Sequence, residues 1–293
     1  MRVSNLMLVL FGLTLLAACG PAAAPVDPPA TATASPAPHA SPTARPAPSA
    51  TPTAVCSEDN GVSQLLAYDS PILAQPVRVW VYQPPCAASL DRPLPILILL
   101  HGKPYTETHW PGLGLVEVYE TGLAAGRWGP TLIVAPHAPE PLFSSSDGGP
   151  NSYEQELLEG VLPFVADWAS TLGQPGELSL AGISRGGVWA LETGLRHPDR
   201  FVWVGGISPA LAVNYARPAY DPLVLAPSTT ELPAHILLLA GEDDWARPHT
   251  ERLAGLLQGK ADDLRLEIVP GNHSDPTWSA ALPRILAYLV PSR

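Results

Sequence analysis

A mainly parallel α/β sandwich, a central sheet with helices on both faces, is the fold this sequence predicts. Three observations carry it. Short apolar runs alternate with segments of helical period, the pattern of βα units winding a parallel sheet. Several runs are apolar at consecutive positions rather than at every second one, as strands covered on both faces must be. About 235 residues follow an N-terminal leader and a Pro-, Ala-, Thr- and Ser-rich stretch, enough for one large α/β domain and too few for two full enzymatic ones.

Taken in order, residues 1–18 read as a targeting segment. Arg2 supplies positive charge, and Leu6 to Ala18 is an apolar run too short to span a bilayer. Its end, Leu16-Ala17-Ala18-Cys19, resembles the lipobox of bacterial lipoproteins. That resemblance implies cleavage before Cys19 and a diacylglyceryl group on its sulfur, and two acyl chains suffice for stable membrane attachment. Residues 19–55 continue as Pro, Ala, Thr and Ser with almost no charge. Such a segment cannot bury a core; it is expected to be a semi-extended tether, up to roughly 110 Å long if wholly polyproline II. The chain is thus expected outside the cytoplasm, anchored to the cell membrane, with residues 56–293 as its folded domain. Disulfides persist there, so Cys56 and Cys86 are expected to be bridged, pinning the start of the domain to its first hairpin.

Within the domain, Val62–Tyr68 and the strictly alternating Val77–Gln83 predict a half-exposed antiparallel pair at the leading edge of the sheet. Pro95–Leu100 is a continuous apolar run, as expected of a buried parallel strand, and His101-Gly102-Lys103 follows it. Leu132–Ala135, Leu178–Ala181, Phe201–Gly205 and Ile236–Ala240 repeat the signal, and Leu264–Val269 is a further, more alternating strand. The best helix is Ser152–Ser170, where Ser152 and Gln155 make a capping box, Leu157, Val161, Leu162 and Val165 share a face, and Pro163 should kink it. Further helices are expected at Gly114–Ala124, Gly186–Arg196, His249–Leu257 and Pro276–Leu289. The Pro-rich, weakly patterned stretch Ala210–Leu232 is either a lid or a long surface loop.

One junction organises the rest. Leu178–Ala181 runs into Gly182-Ile183-Ser184-Arg185-Gly186, a G-x-S-x-G pentapeptide between a strand and a helix. With 24 glycines in the chain, the pentapeptide alone decides little; its context does. A strand turning at once into a helix crowds its own backbone, so glycines are needed two residues either side of the serine. Ser184 is therefore the candidate nucleophile, and a serine needs a base to take its proton.

The elbow, Leu99-Leu100-His101-Gly102, the segment Tyr105-Thr106-Glu107-Thr108-His109-Trp110 and Gly271-Asn272-His273 before the Trp278 helix together resemble the α/β-hydrolase fold. More narrowly, they are similar to the putative esterase family, which includes esterase D, enterochelin esterases, antigen 85 acyltransferases and feruloyl esterases. The resemblance covers roughly Leu94 to Val290. It implies that His273, in the loop before the last helix, is the base. It implies an acid just after the strand ending at Ala240, where Asp244 fits the family spacing and Asp243 is the alternative. Two N–H donors must meet the oxyanion: Arg185 supplies one from its backbone and Lys103 the other, with Gly102 N–H or the Tyr105 hydroxyl as alternatives to Lys103. His101 is expected to shape that loop, His197 to face a helix C-terminus, and His109, His137, His235 and His249 to be packed or solvated.

The expected activity is a serine carboxylesterase acting on a small-molecule or saccharide-linked ester. An acyltransferase of the same fold and a non-catalytic surface carbohydrate-binding module are the alternatives. A net charge of −11 argues against nucleic acid or an anionic surface as partner. No histidine pair has metal-ligand spacing and no cofactor is implied. Trp110, Trp128, Trp189, Trp245 and Trp278 lie near motif ends, where each is either core or a platform for a sugar or aryl group.

Overall fold

The structure, a computed structural model, describes residues 58–173, 175–214 and 216–292. The leader expected over 1–18, the tether over 19–55, Cys19 and Cys56, and with Cys56 its pairing to Cys86, lie outside the described residues.

Eight strands form one sheet: β1 (Val62–Asp69), β2 (Pro76–Gln83), β3 (Leu94–Leu100), β4 (Leu132–Pro136), β5 (Pro175–Ile183), β6 (Trp203–Ile207), β7 (His235–Gly241) and β8 (Asp263–Val269). Their spatial order is β1-β2-β4-β3-β5-β6-β7-β8. β1 pairs antiparallel with β2, and β2 antiparallel with β4; every other pairing is parallel. The expected leading hairpin is there, but only β1 is exposed; β2 has β4 on its far edge and buries Val79 to Tyr82.

The helices are α1 (His109–Gly112), α2 (Leu115–Ala124), α3 (Leu142–Ser145), α4 (Tyr153–Glu156), α5 (Leu162–Ser170), α6 (Arg185–Arg196), α7 (Pro222–Ser228), α8 (Arg247–Leu257) and α9 (Asp275–Leu289). Successive strand residues face opposite sides, so the continuous apolar runs feed two cores. Ile96, Ile98 and Leu100 join the layer built with α5, α6, α7 and α8. Leu97 and Leu99 join the other, with α2 and α9. This is an α/β-hydrolase sandwich, helices on both faces of a mainly parallel sheet.

Three expectations need correction. The strand expected at Phe201–Gly205 runs instead over Trp203–Ile207, in register with Ser179–Ile183 of β5. Gly205, where the expected strand stops, and Gly206 both lie inside it, where helices on both faces close in. A Cβ on Gly206 would stand 2.6 Å from Leu191 Cδ1 of α6, and one on Gly205 would stand 2.9 Å from Ala181 Cβ with Leu289 of α9 next. The helix expected over Ser152–Ser170 is interrupted by a π turn at Leu157–Val161, and Pro163 is the second residue of α5, directly after that turn. The capping box is half formed: Ser152 Oγ accepts from Gln155 N–H at 3.2 Å, while Gln155 Oε1 accepts from Asn151 N–H at 2.7 Å. Finally, Ala210–Leu232, expected as a lid or a long surface loop, is not one long loop: it contains two short 3-10 turns and α7. Leu211, Leu223 and Ala226 enter the core, and Arg217 Nε and Nη2 both bind Asp147 at 2.7 Å.

Candidate active site

The site forms where β5 turns into α6. Ser184 has φ 54° and ψ −116°, a strained conformation for a residue with a side chain, costing of order 1–3 kcal/mol. Three backbone bonds hold it there: Ser184 N–H to Ile207 O at 2.9 Å, and Val188 and Ala210 N–H to Ser184 O at 3.2 and 3.1 Å. The glycines two residues either side are obligatory. A Cβ on Gly182 would stand 2.3 Å from Gly186 carbonyl atoms, and one on Gly186 would stand 2.4 Å from His101 O.

Two loops on neighbouring strand ends deliver the partners. Asp244 follows β7, and His273 lies between β8 and α9. The loops touch closely: a Cβ on Gly241 would stand 2.3 Å from Gly271 O, and Asp243 N–H donates to that same oxygen at 2.9 Å. His273 Nε2 lies 2.9 Å from Ser184 Oγ, and His273 Nδ1 lies 2.8 Å from Asp244 Oδ1. The structure thus brings together Ser184, His273 and Asp244, and leaves the side chain of Asp243 exposed outside the line. The imidazole is clamped between Trp245, tilted at 4.3 Å between ring centres, and Trp278, edge-on at 5.1 Å.

Burial opposes ionisation of Asp244, but the hydrogen bonds from His273 and the Ala246 N–H, with the Ser208 hydroxyl nearby, outweigh it and hold the carboxyl below its ordinary range. Ala246 N–H meets Oδ1 at 2.8 Å. Ser208 Oγ accepts from Trp278 Nε1 at 2.9 Å. An ionised Asp244 fixes the tautomer with its proton on Nδ1, so that Nε2 can accept from Ser184.

The loop after β3 forms the opposite wall. His101 is buried, with Nδ1 on Gly102 O at 2.8 Å and Nε2 accepting from Ala138 N–H at 2.9 Å. Burial lowers its pKa to about 4, so it is a neutral brace, as its sequence position suggested. His109 is packed, as expected, and is also held by two specific bonds. Gly102 N–H donates to its Nδ1 at 3.2 Å, while its Nε2 meets Asp275 Oδ1 at 3.1 Å. That removes Gly102 N–H as a donor for substrate. The Tyr105 hydroxyl is also diverted, since its ring stacks on His109 at 3.7 Å and its oxygen faces Asp275. The backbone N–H groups of Lys103 and Arg185 remain, and neither has a protein acceptor among the described residues.

A cleft of about 630 Å³ opens over Ser184, lined by Lys103, Ser146, Arg185, Asn214 and Trp245 among others, a size suited to a small ligand. Of the five tryptophans near motif ends, Trp110, Trp128, Trp189 and Trp278 are buried, and only Trp245 faces the cleft. His197 pairs with Glu154 at 3.0 Å rather than only facing its helix end. Asn214, Ser208 and the α3 loop carry no sequence signal of their own; each matters through neighbours far along the chain. Chemically, the arrangement can draw the Ser184 proton to an imidazole held by a carboxylate, beside two unengaged N–H donors.

Fold and site define a class, a carboxylic ester hydrolase of the serine type on an α/β-hydrolase scaffold. The family described as "Putative esterase" matches residues 70–291, and the chain belongs to it. Solved structures are similar over nearly four-fifths of the chain. A ferulic acid esterase is 19% identical, over 79% of this chain and 98% of that one, with a TM-score of 0.67. An S-formylglutathione hydrolase from Staphylococcus aureus is 17% identical, over 78% and 98%, with a TM-score of 0.63. An enterobactin esterase from Shigella flexneri is 20% identical, over 78% of this chain and 59% of that longer one, with a TM-score of 0.64. At these identities the likeness carries the fold.

Proposed function

We propose that the protein is a serine carboxylesterase held outside the cytoplasm by a lipid anchor, hydrolysing small esters, saccharide-linked ones included, through an acyl-enzyme. Ser184 Oγ attacks the ester carbonyl as His273 Nε2 takes its proton, and Asp244 stabilises the imidazolium that forms. The Lys103 and Arg185 N–H groups receive the oxyanion; removing one such donor typically costs about 3 kcal/mol. His273 then returns the proton to the departing alcohol, and water, activated by the same imidazole, releases the acid.

The observation that carries this reading is the unbroken line from Ser184 Oγ through His273 to Asp244, at 2.9 and 2.8 Å. The family match supports ester hydrolysis. The anchor rests on the Leu16-Ala17-Ala18-Cys19 pattern and the charge-poor segment after it. One experiment tests both parts: a fluorophosphonate probe applied to cells expressing the full chain, followed by detergent phase partition. Labelling should be lost in Ser184→Ala, and the labelled wild-type band should partition into detergent, with an N-terminal peptide that begins at Cys19 and carries the added mass of acyl chains. A folded wild-type chain that takes no label would refute the esterase; a mature N-terminal peptide without acyl mass would refute the lipid anchor.

A further inference from the structure

The reaction proposed above uses only the backbone of Arg185. Its guanidinium lies in the wall of the same cleft, 4.8 Å over the Trp189 ring. Nε donates to Phe143 O at 3.0 Å, Nη1 to Asn214 Oδ1 at 3.0 Å and Nη2 to Ser146 O at 2.9 Å. All three acceptors are neutral. A guanidinium carries five N–H donors, so two are left over.

The acids nearby do not balance this charge. Asp147 is committed to Arg217, both contacts at 2.7 Å. Glu140 is exposed and lies 3.5 Å from Lys103. Glu192 is buried, and burial pushes its carboxyl up to about 9, so it is uncharged at neutral pH. A half-buried cation with no opposite charge in contact is costly to keep, and here it is kept beside the candidate nucleophile of a chain with net charge −11. Asn214 adds a second unmet demand. Its Oδ1 is fixed by Arg185, and its Nδ2 is buried with no partner. Buried donors are seldom left so without a reason.

We propose that this wall of the cleft is a subsite for an anionic group, a carboxylate borne by the ester substrate, received by the two spare guanidinium N–H groups of Arg185 and the amide N–H of Asn214, with the Lys103 ammonium at the rim. The inference rests on the esterase reading and narrows it to esters carrying a negative charge. Planar guanidinium donors suit a carboxylate, and charge-assisted bonds in a partly dry site are the strong ones. The carboxylate can belong to the acyl part or to the alcohol part.

Matched ester pairs, hydrolysed by the full chain, test the subsite and distinguish these sources. On the acyl side the pair is mono-4-nitrophenyl adipate and its methyl ester; on the alcohol side it is 3-acetoxybenzoate and its methyl ester. On at least one side the carboxylate member should be preferred in kcat/KM by about tenfold or more, chiefly through KM, as one charge-assisted contact implies. Asn214→Asp places a carboxylate against Arg185 and removes the amide donor, and should bring that ratio to about one or below; Asn214→Leu should lower it less. Equal or reversed preference on both sides, with Ser184 still taking a fluorophosphonate label, overturns the subsite and leaves the esterase standing. A preference that survives Asn214→Asp overturns it too. Failure of both hydrolysis and labelling overturns the esterase reading, and the subsite with it.

Discussion

Replacing Asp244 by asparagine, beside the same change at Asp243, separates two carboxylates that adjoin in sequence and differ wholly in space. The Asp244 side chain is fully buried and that of His273 only 15% exposed, so their 2.8 Å contact is shielded from water. Oδ1 of Asp244 also accepts from Ala246 N–H at 2.8 Å. An asparagine must therefore keep its oxygen at this position, and the imidazole keeps its tautomer. What disappears is the negative charge facing an imidazolium that exists only while the ester is being opened. Breaking one side of a buried charged pair costs about 3–5 kcal/mol, or roughly 10²–10⁴ in rate. Asp244→Asn should thus lower kcat on 4-nitrophenyl acetate by about two to four orders of magnitude, with KM nearly unchanged. Asp243 is exposed and contributes its backbone N–H to Gly271 O, so Asp243→Asn should stay within about twofold, as surface substitutions usually do. Rates would be referred to active sites counted with fluorophosphonate. Comparable losses in the two variants, or an Asp244→Asn enzyme above about a tenth of wild type, would refute the assignment of the acid.

Three more outcomes follow from the geometry. His109→Ala frees the Gly102 N–H from its 3.2 Å bond and loosens the loop that carries Lys103; kcat should fall about tenfold with a smaller change in KM, as losing one hydrogen bond that orients an oxyanion donor implies, and steady-state kinetics check it. Glu192 keeps its proton up to about pH 9 in the folded state and releases it near 4.5 when unfolded, so the folded state binds more protons across that interval and stability falls as pH rises through it. Glu192→Gln should remove that slope and stabilise the protein at pH 7 by on the order of 3 kcal/mol; parallel denaturation profiles for the two proteins between pH 5 and 9 would contradict this. Non-reducing peptide maps of the full chain should contain a Cys56–Cys86 cross-linked peptide that disappears on reduction; recovery of both cysteines as alkylated thiols without reduction would exclude the bridge.

Read alone, the sequence determined the layered architecture and the position of the elbow. Both are local in origin. Consecutive apolar residues such as Ile96 to Leu100 must face two cores, and glycines two residues from Ser184 are demanded by backbone crowding within a few bonds. The base and the acid were legible only through resemblance, because nothing in Gly271-Asn272-His273 or in the pair Asp243 and Asp244 says how far either lies from a serine that comes 89 residues before the histidine. The tertiary structure decided that Asp244 rather than Asp243 turns inward, that His109 occupies the Gly102 donor, and that Gly205 and Gly206 lie inside a strand pressed by helices on both sides. It also decided the character of the cleft. Arg185 is one residue from the elbow in sequence, yet its partners Phe143, Ser146 and Asn214 come from two other segments. Hydrogen bonds and charge pairing depend on distances of a few ångströms between groups the chain separates by tens of residues, and periodicity carries no information about those distances.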